Sequence, residues 1–249
     1  NKHTHLMISV NGSESLPGIM KALIVVKKKA KISSEIVTLS ELRKKHEDSV
    51  KVVNTSYCPN QLALLEYTGG TTGVSKGVML SNENVNSVVE QTKYSGIALN
   101  RGEGWLAVAF PFTAYALICS QRMPLSLGMT TVLCFDLDVK KVEKELLKYK
   151  CNHMANTPLM WEQLMNSKRL KKMNLSFLIS PTVGADALDV HKEKQINEFL
   201  RVHHCEYKIA KGYGMTEVSS GVSITPRNDV NKIGSVGIPL CMTKIGIFE

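Results

Sequence analysis

The 249-residue chain has no run of about 18 consecutive apolar residues, the length a helix needs to cross a bilayer, and this argues against a membrane span. Its six cysteines, at 58, 119, 134, 151, 205 and 241, include no Cys-x-x-Cys pair. That scatter argues against a disulfide framework and suits buried, reduced thiols in a cytoplasmic protein. His203 and His204 precede Cys205, but no spaced partner pair accompanies them, so zinc is not indicated. Aromatic residues make up only 6% of the chain, whereas a nucleic-acid binder interleaves them with its basic patch. The net charge of +9 sits in short runs ("KKKAK" at 27–31, "RKKH" at 43–46, "KRLKK" at 168–172) that read as solvated surface. A basic surface of this kind favours anionic small molecules over nucleic acid. The chain lacks Gly-x-Ser-x-Gly, so no nucleophile elbow is expected. The opening "NKHTHLMISV" has neither an initiator Met nor a signal-peptide pattern, and "TKIGIFE" at the end reads as the middle of a strand. Both ends are therefore expected to be cuts from a longer protein.

What is present is alternation. "KALIVV", "QLALLEY", "GWLAVAF" (ended by Pro111), "TTVLCF", "LSFLIS" and "EYKIAKGYG" read as strands, the last being the final clear one. Between them fall helical stretches. "LSELRKKHE" has Ser40 as a candidate cap, and Ser81 can cap a helix that buries Val85, Val88 and Val89. "DVKKVEKELLKYK" turns Val139, Val142 and Leu146 inward, "TPLMWEQLM" carries Pro158 in its first turn, and "DVHKEKQINEFLRVHH" follows "PTVGADAL". Strands alternating with helices predict an α/β fold with a mainly parallel sheet flanked by helices. There is no internal repeat and no low-complexity tract.

One stretch departs from ordinary element composition. "YTGGTTGVSKG", residues 67–77, holds four glycines, three threonines, a serine and a lysine between an apolar strand and a capped helix. Glycine costs backbone entropy, so such a run is placed where a ligand or another strand must come close. Backbone N–H groups, the hydroxyls of Thr68, Thr71, Thr72 and Ser75, and the Lys76 ammonium make a cradle for phosphate oxygens. It is not a Walker A loop, because Gly73 is followed by Val74. On composition alone, a flexible surface loop of small residues stays open as the alternative.

The stretch "YTGGTTGVSKGVMLSNENV" resembles the phosphate-binding signature of the adenylate-forming superfamily, which includes acyl-CoA synthetases, peptide-synthetase adenylation domains and firefly luciferase. Gly69 stands where that family commonly has Ser, which removes a hydroxyl, and Ser75 where it has Pro, which is expected to loosen the loop. "GYGMTE" at 212–217 resembles the family's Tyr-Gly-x-Thr-Glu, "VGADAL" at 183–188 its adenine-lining Gly-Ala-Ala-Pro-Leu, and "KIGSVGIPL" at 232–240 its Gly-Ser-Val-Gly-x-Pro. A departure lies at "FPFTAYAL", 110–117, where the family's Pro-x-Phe-His segment borders the acyl pocket. It is one residue shorter and lacks the His, so no acyl-pocket role is assigned to Phe112, Thr113 or Tyr115.

The resemblance implies a layered αβαβα large domain, with residues 1–249 an incomplete part of it and the small C-terminal domain absent. It implies ATP-dependent activation of a carboxylic acid to an acyl-adenylate with release of pyrophosphate, then transfer to coenzyme A, by a protein whose fragment alone is inactive. Loading of a carrier protein, or a non-catalytic nucleotide-binding module, are the alternatives. Thr68, Gly69, Gly70, Thr71, Thr72, Gly73 and Lys76 would hold phosphates, and Gly184, Ala185, Tyr213, Gly214 and Met215 the nucleotide. Thr216 and Glu217 would act in catalysis, with Glu217 a ligand of Mg²⁺. The motifs are expected to converge on one cleft at the carboxyl ends of the strands.

Overall fold

The computed structural model describes residues 7–9, 36–45, 55–68, 75–108, 113–134, 136–226 and 231–248. The chain divides into two compact units, residues 1–57 and 58–249. In the first, β1 (Met7–Ser9) pairs in parallel with β2 (Ile36–Thr38), which runs into α1 (Leu39–Lys45). The helix already includes Leu39, so Ser40 is its second residue and not the cap expected from sequence. The expected strand "KALIVV" lies outside the described residues.

The second unit opens with a hairpin. β3 (Leu62–Thr68) pairs antiparallel with β4 (Lys76–Ser81), Thr68 opposite Lys76. The sequence reading ran the glycine stretch straight into a helix. Instead a strand intervenes, because Val78 and Leu80 alternate inward against the partner strand while Met79 faces out. Ser81 then caps α2 (Asn82–Lys93) as expected. Its Oγ accepts from Asn84 N at 3.2 Å, and Asn84 Oδ1 accepts from Ser81 N at 2.9 Å, satisfying two otherwise unpaired donors. Val85, Val88 and Val89 are buried, as the spacing indicates.

The remaining elements are β5 (Gly104–Ala107), a π-helical stretch (Tyr115–Arg122) continuing into α3 (Met123–Ser126), β6 (Thr130–Leu133), α4 (Val139–Tyr149), β7 (His153–Asn156), α5 (Pro158–Met165), β8 (Ser180–Val183), α6 (Val190–Val202), β9 (Ala210–Met215), β10 (Ser220–Ile224) and β11 (Ile238–Pro239). β5 to β11 form one sheet in the order β11-β10-β9-β8-β7-β5-β6. The run from β6 to β9 is parallel, and β10 and β11 are antiparallel additions. This is the mainly parallel α/β sheet that the alternation predicts.

The two sheet faces bury different side chains. Leu106, Met154 and Val183 meet Val142 and Leu146 of α4, Trp161 and Leu164 of α5, and Ile196 and Leu200 of α6. Trp161 Nε1 donates to the Thr182 carbonyl at 3.0 Å, so its one polar atom is satisfied in the core. On the other face, Trp105, Ala107 and Ala155 meet Val89 of α2 and Met123 of α3.

Three sequence expectations shift. "LSFLIS" was read as the strand, but Leu178 N bonds Leu175 O in a turn that buries both leucines, and β8 begins only at Ser180. β9 is not the last strand, since the short β10 and β11 follow. Residues 243–248, expected as a strand, have no ladder partner and are mostly exposed. Of the cysteines, Cys134, Cys151 and Cys205 are buried, Cys119 is half-buried, and Cys58 and Cys241 are exposed; all six are free thiols. Among the described residues no helix is long and apolar enough to cross a membrane.

Candidate functional site

Register along the sheet builds a trough. Ala107, Ala155, Thr182 and Ala210 lie side by side on β5, β7, β8 and β9. Side chains alternate between faces, so these four point to the face opposite Leu106 and Met154. Two residues further towards the carboxyl ends, Gly184 and Gly212 present no side chain on that face. Two residues back, Trp105 and His153 stand in register with Ser180, and the two rings rise as a shelf. The face therefore deepens from a large-residue row, through a small-residue row, to bare backbone at the carboxyl edge.

Over Ser180 and Thr182 of β8 and Gly212 of β9 this face encloses a cavity of about 290 Å³. Val88 and Thr92 of α2 and Tyr115, Cys119 and Met123 from the π-helical stretch and α3 cover it. Ser180 and Thr182 line its floor, and Ala185, Gly212, Tyr213, Gly214, Met215 and Thr216 line its carboxyl-edge end. Tyr213 and Met215 are nearly half exposed there, whereas Trp105 at the other end is buried. The Tyr115 hydroxyl is buried without a hydrogen-bond partner, and burial, with the Cys119 thiol adding to it, raises its pKa far above the usual phenol range.

Two glycines and one strained alanine shape the carboxyl edge. A Cβ on Gly184 would come within 3.2 Å of the Gly212 carbonyl oxygen and 3.6 Å of the Tyr115 ring. Ala185 follows with φ of +65°, a left-handed conformation that costs a non-glycine residue about 1–2 kcal/mol. Strain of this kind is stored where the surroundings over-determine the backbone. β9 turns back into β10 through a single helical turn at Thr216–Val218, and Ser219 and Ser220 both take positive φ. β4 packs against this turn. The strand that leaves the glycine-rich stretch is thereby carried to the side of "GYGMTE". Ser75 Oγ donates to the Thr68 carbonyl at 3.1 Å, so the serine expected to loosen the loop ties its base together.

Gly69, Gly70, Thr71, Thr72 and Gly73 lie outside the described residues. Ala185, Tyr213, Gly214, Met215 and Thr216 come together on one cavity, and Gly184 adjoins it through Tyr115. Lys76 and Glu217 are exposed and do not line the cavity; they belong to the strand and the turn that pack together. Sequence reasoning missed Trp105, Ser180 and Thr182 and left Tyr115 without a role. The signal for the first three was period-two alternation, Trp105 with Ala107 and Ser180 with Thr182. It was hidden by placing β8 five residues too early. His203 serves structure: its Nδ1 is 3.1 Å from the Met173 carbonyl and its ring packs on Phe199. Among the described residues no group of three metal-ligating side chains converges.

Comparison with known proteins gives a consistent picture. The AMP-binding enzyme family matches residues 5–249. A long-chain-fatty-acid–CoA ligase of Haemophilus influenzae is 31% identical over 193 residues, covering 76% of this chain and 34% of that protein. The chain thus spans about a third of the length of the curated relatives it matches. Among solved structures, the anthranilate CoA ligase AuaEII in complex with anthranoyl-AMP superposes with a TM-score of 0.74 at 14% identity, covering 95% of this chain and 41% of that one. The O-succinylbenzoate coenzyme A synthetase of Bacillus subtilis, in complex with ATP and magnesium ion, gives 0.68 at 19% identity, covering 94% and 45%. These two show a shared fold.

Proposed function

The chain belongs to the AMP-binding enzyme family, and from that premise we propose that the protein activates a carboxylic acid with ATP and passes the acyl group to coenzyme A. In the first step a carboxylate oxygen bonds to the α-phosphorus of ATP and the α–β bridging bond breaks, giving acyl-adenylate and pyrophosphate. In the second the thiol sulfur bonds to the acyl carbon, the carbon–oxygen bond to AMP breaks, and the thiol proton leaves to solvent. The observation that carries the reading is the convergence of Ala185 and Tyr213–Thr216 on one cavity, with β4, the strand that leaves the glycine-rich stretch, beside the same turn. The neighbours bound to ATP and to anthranoyl-AMP support the nucleotide, and the likeness to a CoA ligase of Haemophilus influenzae supports coenzyme A.

Each residue's part follows from its chemistry. The Tyr213 ring, half exposed at the cavity mouth, offers a face for the base. The Thr216 hydroxyl and the Lys76 ammonium offer a donor and a positive charge to phosphate oxygens. The cavity between Trp105, Tyr115, Ser180 and Thr182 receives the apolar part of the acid. The acid is already ionised at neutral pH, its pKa lying near about 4, so no general base is needed in the first step.

A magnesium ion fits the donor set, since it keeps several waters and takes one or two carboxylates plus substrate phosphates. Glu217, exposed on the turn beside β4, would be its protein ligand; the ion neutralises phosphate charge when bound. Glu217→Gln in the full-length protein is expected to raise the Mg²⁺ concentration for half-maximal activity by roughly tenfold or more, the order seen when a metal site loses a partner. Excess Mg²⁺ should partly restore the rate. A loss insensitive to Mg²⁺, with the acidic limb gone from the pH–rate profile, would assign Glu217 as a base instead. Lowered thermal stability with unchanged Mg²⁺ dependence would reduce it to a turn residue.

A further inference from the structure

The cavity has a closed end, and the shelf that closes it is fixed. Trp105 is the second residue of β5, in register with His153 on β7 and, through it, with Ser180 on β8. Its indole stacks on the His153 ring at 5.6 Å between centroids, with the planes 12° apart. His153 Nε2 donates to Glu103 Oε2 at 2.7 Å, and Asn100 donates to both Glu103 oxygens, through its backbone at 2.9 Å and its side chain at 2.8 Å. Burial pushes the Glu103 carboxyl up, but these hydrogen bonds outweigh it and hold it below the usual carboxylate range. The carboxylate therefore remains an acceptor, which fixes the histidine and, through it, the indole. Met123 and Met129 pack on the same cluster. The shelf is buried and braced from its own strand, the next strand and the roof.

From the shelf to the open edge is a short distance. Ser180 to Gly184 is four residues, roughly 13 Å at about 3.3 Å per strand residue. A cavity of about 150 Å³ accommodates one benzene ring. The whole cavity here is about 290 Å³, and its open end is also where Tyr213 would receive the base. The space left between adenylate and shelf is that of one ring or a short chain. We infer that Trp105 sets the length of the acid, restricting it to a compact, mostly apolar acyl or single-ring aryl group and excluding long unbranched chains. This rests on the reading of the cavity as the acid's site.

The test is acid-dependent ATP–pyrophosphate exchange by the full-length protein with butyrate, benzoate, octanoate and palmitate. For the unaltered protein, kcat/KM for the best of the three compact acids should exceed that for palmitate by at least about tenfold, since a single misfitting methylene is worth about 10–200-fold. Trp105→Ala and Trp105→Leu, the second retaining apolar packing, should each raise the palmitate-to-butyrate ratio by about tenfold or more, with the melting temperature confirming a folded protein. Preference of the unaltered protein for palmitate would overturn the inference, whether or not either variant folds. So would folded variants with an unchanged ratio. Absence of exchange with every acid would instead strike the proposed activity itself.

Discussion

Gly214→Ala is expected to abolish nucleotide binding and to lower stability by at least about 3 kcal/mol, the upper range for overpacking a tight site. The added Cβ would stand 1.4 Å from the Ser220 carbonyl oxygen, 2.4 Å from its carbon and 2.9 Å from the Gly221 Cα. All three are backbone atoms, so no side chain can swing away to make room. Relief requires separating β9 from β10, which are joined by a tight turn whose Ser219 and Ser220 are already held at positive φ. That movement carries Tyr213, Met215, Thr216 and Glu217 with it. Gly212→Ala is the control: its Cβ would meet nothing closer than the Val183 carbonyl oxygen at 3.9 Å, so its stability should stay near that of the parent. Thermal unfolding with and without ATP distinguishes the two. Equal stability and equal ATP response for both variants would contradict the β9–β10 geometry.

The second large effect is expected at Lys211→Met. Lys211 and Glu193 form an ion pair between β9 and α6, with Glu193 1% and Lys211 5% exposed. The ammonium also donates to the Lys232 carbonyl at 3.0 Å, and the second Glu193 oxygen accepts from Gly234 N at 2.9 Å. The pair thus clamps the "KIGSVG" segment to the sheet on the face opposite the cavity. Removing the cation leaves a buried carboxylate uncompensated, which costs about 3–5 kcal/mol. Lys211→Met combined with Glu193→Leu should recover most of that loss, because a well-packed apolar pair of similar volume is often neutral or stabilising relative to the ions. Denaturant unfolding of the single and double variants reads both. A double variant as unstable as the single one would mean that the side chains act through packing or through the Lys232 and Gly234 hydrogen bonds, and not as a charge pair.

Much of the fold was legible because the helices and strands carry strong local signals. Ser81 as a cap and the valines of α2 are readable from cap chemistry and spacing, and each stands where that reading puts it. The glycine-rich stretch and "GYGMTE" stood out because they break ordinary element composition. What stayed hidden depends on register between strands distant in sequence. Trp105, Ser180, Thr182 and Gly212 come to one cavity only because strands distant in sequence align, and no single segment announces that. β8 was misplaced because "LSFLIS" is the more apolar run, yet its leucines are buried in a turn, and the polar-looking "SPTV" forms the ladder. The Lys211–Glu193 pair left a faint trace: Glu193 shares the inward face of α6 with Ile196 and Leu200, at i, i+3 and i+7.

The most direct test of the central claim is acid-dependent exchange of labelled pyrophosphate into ATP by the full-length protein. The expected result is exchange that requires a carboxylic acid and Mg²⁺ together, falls to background in Gly214→Ala, and needs no coenzyme A, since the thiol enters only after the adenylate forms. Nucleotide-dependent thermal stabilisation without exchange, across a broad panel of acids, would contradict it and leave a nucleotide-binding module without this chemistry.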